Sequence, residues 1–292
     1  MADEHFHTDR LVIIGPGLLG TSIAMGLKQR GFSGAITALG RSQVTLDHAS
    51  QTGVYERCTD DPAEALTDAT LAVIAVPLSG FRAVFAQIAE YADPGLVITD
   101  VGSTKASVIA DARACLDDLS RVIGAHPMAG SEKSGPTAAN PDLFVGKPCI
   151  LTVTEQDDPD AVSQVTSIWR TLGMSILTMT PKEHDEKVAV VSHLPHLAAV
   201  MLVRVAEQMG GLDLASTGYR DTTRLASSNP PMRADILRAN RDAVRDAVAA
   251  LREQCDRVDQ LLACADRDQI VDLLEHAARS REHWIAQLGS AG

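Results

Sequence analysis

The segment that most limits what this chain can become is Gly15-Pro16-Gly17-Leu18-Leu19-Gly20. It is a G-x-G-x-x-G set between an apolar run at 11–14 and a stretch of helical periodicity at 21–30. Elsewhere such glycines would only make a turn; a strand before them and a helix after them make the dinucleotide-binding fingerprint. Gly15 permits the tight turn, Gly17 lets the backbone approach a pyrophosphate, and Gly20 lets helix and strand pack closely. The phosphates then meet a helix N-terminus, where unpaired N–H groups and the helix dipole favour an anion.

A chain that opens this way continues as repeated strand–helix units. Further strand-like runs lie at 35–39, 71–76, 96–99, 121–125, 149–153 and 175–179, with helical periodicity between several of them, as at 81–91 and 161–171. That alternation implies right-handed crossovers and a mainly parallel sheet covered on both faces. Past Pro181 the strand runs stop. Residues 182–208 read as one helix bent at Pro195, 210–228 as mixed structure, and a long helix starts at Pro230, with a last one over about 267–288. The expected fold is α/β: a Rossmann-type, doubly wound domain at 1–181, then an all-α domain at 182–292. The long helix carries more apolar surface than one small helical domain covers, which implies a homodimer through this half.

Composition narrows the function. With 26 Lys+Arg against 38 Asp+Glu, the net charge is −12. Such a chain is poorly suited to nucleic acid or to an anionic membrane surface. No unbroken apolar run approaches the ~20 residues of a membrane span, and the polar first ten residues are not expected to be a secretory signal. Five scattered cysteines, with no C-x-x-C, read as reduced thiols of a cytoplasmic protein. Aromatics are 3% of the chain, so a ligand site must rely on charge and backbone.

The end of the second strand run selects the cofactor. An NAD site usually places Asp or Glu about 20 residues beyond the glycines. Here Gly40, Arg41 and Ser42 stand there, and Asp47 falls in the next helix. A guanidinium and a hydroxyl without a carboxylate suit a 2′-phosphate, so NADP is expected over NAD. The plainer alternative leaves Arg41 as a solvated loop cation. Leu18, Leu19, Val76, Pro77, Asp100 and Gly102, near the carboxyl ends of strands, are expected along the cofactor.

Two later segments carry candidate chemistry. Asp100-Val101-Gly102-Ser103-Thr104-Lys105 follows a strand run, so Ser103 either caps the following helix, contacts a ligand, or does both. His126 ends another strand run and opens a Gly- and Ser-rich loop, a placement suited to acid–base work. His193 and His196 share a helix face, but no further ligand set makes them a metal site.

Together the motifs G-x-G-x-x-G, D-V-G-S-T-K, H-P-M-A-G-S-E-K-S-G, E-H-D, S-H-L-P-H and G-Y-R-D-T-T-R resemble the prephenate/arogenate (cyclohexadienyl) dehydrogenases of tyrosine biosynthesis, over about residues 10 to 285. The resemblance implies a helical dimerisation domain and a small-molecule cyclohexadienyl substrate held between domains. By motif position it makes His126 the catalytic histidine, with Ser103 beside it. It gives His196 and Arg224 the substrate carboxylate, Asp221 and Thr223 the same wall, Ser131 the side-chain pocket, and Glu132 an ionic rim. Several relatives carry an aromatic where this chain has Arg233, a residue the resemblance directs toward the partner's cleft. The implied reaction is oxidative decarboxylation: His126 takes the ring hydroxyl proton, hydride leaves for NAD(P)⁺, and loss of CO₂ aromatises the ring. Two other readings compete: another two-domain hydroxyacid-type dehydrogenase, which would rely on a lysine where His193 and His196 stand, and a catalytically silent NADP-sensing dimer.

Overall fold

The computed structural model describes residues 8–131 and 133–290, the side chains of 288–290 excepted. The strands are β1 (Arg10–Ile14), β2 (Ala35–Leu39), β3 (Arg57–Thr59), β4 (Leu71–Ile74), β5 (Val97–Asp100), β6 (Val122–Pro127), β7 (Pro148–Thr152) and β8 (Ser175–Met179). They form one sheet in the order β3-β2-β1-β4-β5-β6-β7-β8. Every neighbouring pair is parallel except β6–β7. The α/β expectation therefore holds. The connection from β6 to β7, residues 128–147, holds no α-helix among its described residues, only a 3-10 turn, Pro136–Ala138, whereas a parallel return usually runs through a helix. The three-residue, mostly polar β3 had no apolar run to announce it.

Helices α1 (Leu18–Gln29), α2 (Gln43–Ser50), α3 (Pro62–Leu66), α4 (Phe81–Tyr91), α5 (Ala106–Arg113) and α6 (Pro159–Thr171) accompany these strands. Alternation along β1 shows why both sheet faces are covered. Leu11 and Ile13 join the cluster holding Ile23, Leu27, Val165 and Trp169, whereas Val12 and Ile14 join the one holding Phe81, Phe85 and Val108. The order reverses between β1 and β4, which makes the crevice beyond their carboxyl ends the natural ligand position.

The remaining helices are α7 (Pro181–Val188), α8 (Leu194–Met209), α9 (Thr217–Thr223), α10 (Pro230–Ala239), α11 (Arg241–Cys264) and α12 (Arg267–Ser290). Two sequence expectations change here. The helix expected at 182–208 passes through a π-helical turn, Ala189–His193, just before Pro195. A proline ring crowds the carbonyl four residues back, and a wider turn relieves that clash. The helix expected from Pro230 is two helices, separated at Asn240, whose backbone is not helical (φ −109°, ψ 32°). The stretch Pro181–Met209 is also long and apolar enough to cross a membrane by length and composition, with mean hydropathy 1.7. It contains no unbroken apolar run of that length, because charged residues, histidines and Pro195 interrupt it. It buries His184, Asp185, His193 and His196 inside the protein, and ionisable groups of that kind are costly in lipid.

By contacts the chain divides into two compact units, Met1–Arg241 and Asp242–Gly292. Every candidate site residue lies in the first.

Candidate active site

The glycine loop sits between β1 and α1, against the end of β4. Gly15 has φ +94°, and a Cβ there would lie 2.6 Å from the Ala75 carbonyl oxygen. At Gly20 a Cβ would lie 2.5 Å from the Gly15 carbonyl oxygen and 2.7 Å from Ile13. Gly17 is different: a Cβ would meet nothing within 4 Å, and no side chain caps α1. Two glycines thus close the packing, and the middle one leaves an open helix end followed by Leu18 and Leu19. Those features fit a pyrophosphate.

The end of β2 borders this loop, since Gly15 N–H donates to the Leu39 carbonyl at 2.8 Å and Gly40 abuts Pro16. Arg41 beyond it is exposed, and no described carboxylate pairs with it. Ser42 caps α2, its Oγ accepting from Thr45 N–H at 3.4 Å. Asp47 lies in α2 and accepts from Gln43. Val76 and Pro77 lead out of β4 into a 3-10 turn, Leu78–Gly80, against which α10 packs.

The next strands in the order, β5 and β6, carry the candidate residues for chemistry. Asp100 ends β5 and is 2% exposed. It pairs with Lys105 Nζ and accepts from Gly102 N–H at 2.7 Å and Ala125 N–H at 3.0 Å. Both carboxylate oxygens are thus committed inside the protein, and Asp100, expected along the cofactor, presents neither to a ligand. Lys105 is itself fully buried and donates to the Ala125 carbonyl at 2.6 Å, tying the Ser103 loop to the residue before His126.

Ser103 does not cap α5. Asp185, from α7, does so instead, accepting from Lys105 N–H at 2.8 Å and Ala106 N–H at 2.9 Å. A carboxylate is favoured at a helix N-terminus, and this one leaves the Ser103 hydroxyl without a described partner. His126 Nδ1 lies 2.8 Å from His184 Nε2, and His184 Nδ1 lies 2.7 Å from Asp185 Oδ1. Burial, then the Lys105 ammonium, hold the His126 pKa well below the ordinary imidazole value. Burial pushes Asp185 up, but hydrogen bonds from His184, Lys105 and Ala106 outweigh it and leave its pKa lowered.

A second group gathers on α8 and α10. His196 is buried with its Nδ1 unpartnered, and burial followed by Arg233 lowers its pKa. His193 is lowered to about 4, by burial first and by Arg233 next. Asn240 donates to the Asp185 carbonyl at 2.8 Å and lies 3.3 Å from His193 Nδ1. The Nε of Arg233 is buried without a partner. Arg233, which the resemblance directs toward a partner's cleft, thus lies close enough to His193 and His196 of its own chain to lower both.

Thr223 ends α9 and Arg224 opens the 3-10 turn that follows, and both elements pack against α8, which carries His196. Thr223 is buried with its hydroxyl donated to the Tyr219 carbonyl, Arg224 is exposed, and Asp221 pairs with Arg220 at the surface. Ser131 is exposed and accepts from Lys133 N–H, while Glu132 lies outside the described residues.

Residues 23–191 match the family model for the prephenate dehydrogenase nucleotide-binding domain, and residues 180–276 match that for the prephenate dehydrogenase dimerization domain. The chain belongs to the prephenate dehydrogenase family. It is 31% identical to the prephenate dehydrogenase of Bacillus subtilis over 280 residues, covering 94% of this chain and 76% of that one. Among solved structures, the prephenate dehydrogenase of Aquifex aeolicus, in complex with hydroxyphenyl propionate and NAD+, matches with a TM-score of 0.89 at 28% identity, covering 95% of this chain and 98% of that one. Arogenate dehydrogenase from Synechocystis matches with a TM-score of 0.84 at 27% identity, over 94% and 99% of the two chains. Within this prephenate dehydrogenase family member, sequence reasoning assigned no role to His184, Asp185 or Asn240, and it placed Lys105 near the nicotinamide, where the structure instead buries it against Asp100. The E-H-D motif was visible as a motif, but no spacing rule tied it to a histidine 58 residues earlier.

Proposed function

We propose that this chain catalyses the oxidative decarboxylation of prephenate, with NADP preferred over NAD. The observation that carries the reading is a neutral His126 at the carboxyl end of β6, beside the loop that bears Ser103 and close in strand order to the glycine crevice. Gly15, Gly17, Gly20, Leu18 and Leu19 would hold the pyrophosphate, Arg41 and Ser42 the 2′-phosphate, and Val76, Pro77 and Gly102 the remaining length. Bound there, an oxidised nicotinamide supplies the hydride acceptor. His126 accepts the ring hydroxyl proton while Ser103 orients that hydroxyl. The hydroxyl carbon becomes a carbonyl, the ring carboxylate departs as CO₂, and the ring aromatises to a phenol.

His196 and Arg224 would bind substrate carboxylate, with Ser131, Glu132, Asp221 and Thr223 around it. Arg233 favours prephenate over arogenate in this reading. Its cation acts on His193 and His196, where it would attract a carboxylate and repel the ammonium group that arogenate carries. We assign the substrate-binding half to 182–292 and a homodimer through it. The match at 180–276 supports this, as do the exposed apolar residues Val191, Val205 and Met209. Its five cysteines are all free, as suits a cytoplasmic protein.

Steady-state kinetics with prephenate and arogenate against NAD⁺ and NADP⁺ test the assignment. Prephenate with NADP⁺ is expected to give the highest kcat/KM. Arg41→Ala should cost about tenfold in NADP⁺ affinity, near 1.4 kcal/mol for one lost phosphate contact, and leave NAD⁺ unchanged. No cofactor reduction with either substrate, from folded protein, would overturn the proposal.

A further inference from the structure

We propose that His184 and Asp185 are positioning residues that fix which nitrogen of His126 serves as the base. The inference rests on reading His126 as that base, but its evidence is a separate chain of contacts. Asp185 anchors it. Its two oxygens accept backbone N–H groups from Lys105 and Ala106, at 2.8 and 2.9 Å, so they are pinned to the start of α5. Asn240 holds the same residue from behind, donating to its main-chain carbonyl at 2.8 Å.

An ionised carboxylate only accepts hydrogen bonds. The 2.7 Å contact between Asp185 Oδ1 and His184 Nδ1 therefore places a proton on His184 Nδ1. With its ring proton on Nδ1, His184 keeps a lone pair on Nε2, and the 2.8 Å contact to His126 Nδ1 has His126 donate from that nitrogen. The proton on His126 is thereby confined to Nδ1, and its lone pair to Nε2. No described residue takes Nε2, which is left to accept a substrate proton. Unrestrained imidazoles favour the opposite tautomer, with the proton on Nε2, which cannot act as a base from that nitrogen.

The polarity is one-directional. When Nε2 gains a proton, His126 becomes a better donor to His184, and His184 to Asp185, so the same contacts favour the imidazolium as it forms. No proton need move beyond His126. His184 is fully buried and contacts His126 edge-on, with ring centroids 5.0 Å apart, so it also fixes the ring's orientation. Because Asp185 caps the helix that follows Ser103, base and hydroxyl-orienting loop share one anchor.

The test combines histidine tautomer spectroscopy with two substitutions. In full-length protein carrying ¹³C,¹⁵N-histidine, without substrate, the His126 ring signals are expected to report the Nδ1–H form. A glutamine can accept from His126 with its oxygen and donate to Asp185 with its nitrogen. His184→Gln should therefore keep that tautomer and hold kcat within about tenfold, whereas His184→Leu should release it and lower kcat about 100-fold, the low end of general-base effects. KM for prephenate and Kd for NADP⁺ should stay within about twofold in both, since neither side chain is placed against a ligand. An Nε2–H form of His126 in the wild type would overturn the proposal, and this spectrum decides even if His184→Leu fails to fold. So would wild-type kcat in a folded His184→Leu variant. The expected tautomer combined with near-normal turnover of His126→Asn would leave the relay standing and remove His126 as the base.

Discussion

The glycine loop and the His126 corner lie at carboxyl ends of strands in one sheet but are built by opposite means. The loop is contiguous: six residues supply its turn, its close packing and its open helix end. Its chemistry is backbone chemistry, and side chains enter mainly by being absent. The corner joins residues distant in sequence. Lys105 reaches Ala125 across 20 residues, His126 reaches His184 across 58, and Asp185 reaches Lys105 across 80. It is made of side chains whose charges and protons must be in the right places. A phosphate site needs only N–H groups and room, which local geometry supplies. A proton acceptor needs a fixed tautomer and a fixed charge state, which only surrounding structure supplies.

Within the loop, the contrast between its glycines should give the larger effect. Gly20→Ala forces a Cβ to within 2.5 Å of a backbone oxygen. It is expected to cost about 1–3 kcal/mol from overpacking, more than the up to ~1 kcal/mol that Ala gains in a helix. Gly17→Ala meets open space, so thermal stability should hold within about 0.5 kcal/mol while NADP⁺ affinity falls about tenfold. Thermal unfolding and cofactor titration on the pair separate packing from ligand approach. Equal effects from both substitutions would break the distinction drawn between these glycines.

The corner, with the histidine group on α8 beside it, should show itself in acid. His193, lowered to about 4, is bound to fewer protons folded than unfolded between pH 4 and 6.5. Stability from this group is fully present above the ordinary imidazole value of about 6.5 and is lost as the pH falls toward the folded value. Between pH 7 and pH 5.5 the loss is about 1 kcal/mol from His193 alone, and His126, also held low, adds to it in the same direction. Chemical denaturation at pH 7 and pH 5.5 measures this. The change should be smaller in His193→Asn than in the wild type.

What was legible in the sequence follows the same division. The glycine loop, seven of the eight strands and the placement of His126 at a strand end rest on local pattern. β3 escaped because three largely polar residues do not make an apolar run. The break at Asn240 escaped because no local signal marks it: Asn240 is buried, and its side chain bonds to Asp185, 55 residues earlier. Asp100 reads as a cofactor residue by position, yet its carboxylate is spent on Lys105, Gly102 and Ala125. Ser103 reads equally as a helix cap and as a ligand contact; only the arrival of Asp185 from α7 decides that it is not the cap. Arg233 was visible as a departure from the family pattern, but its effect on His193 and His196 depended on how α10 packs.

Turnover and cofactor affinity of His126→Asn, measured on one preparation, bear most directly on the division between a backbone-built cofactor loop and a side-chain-built catalytic corner. Loss of a general base typically costs about 10²–10⁴-fold. A fall in kcat of that size, with Kd for NADP⁺ within about twofold of wild type, is the expected result. Near-normal kcat would contradict the assignment of the base, and a matching loss of NADP⁺ affinity would contradict the separation of the two regions.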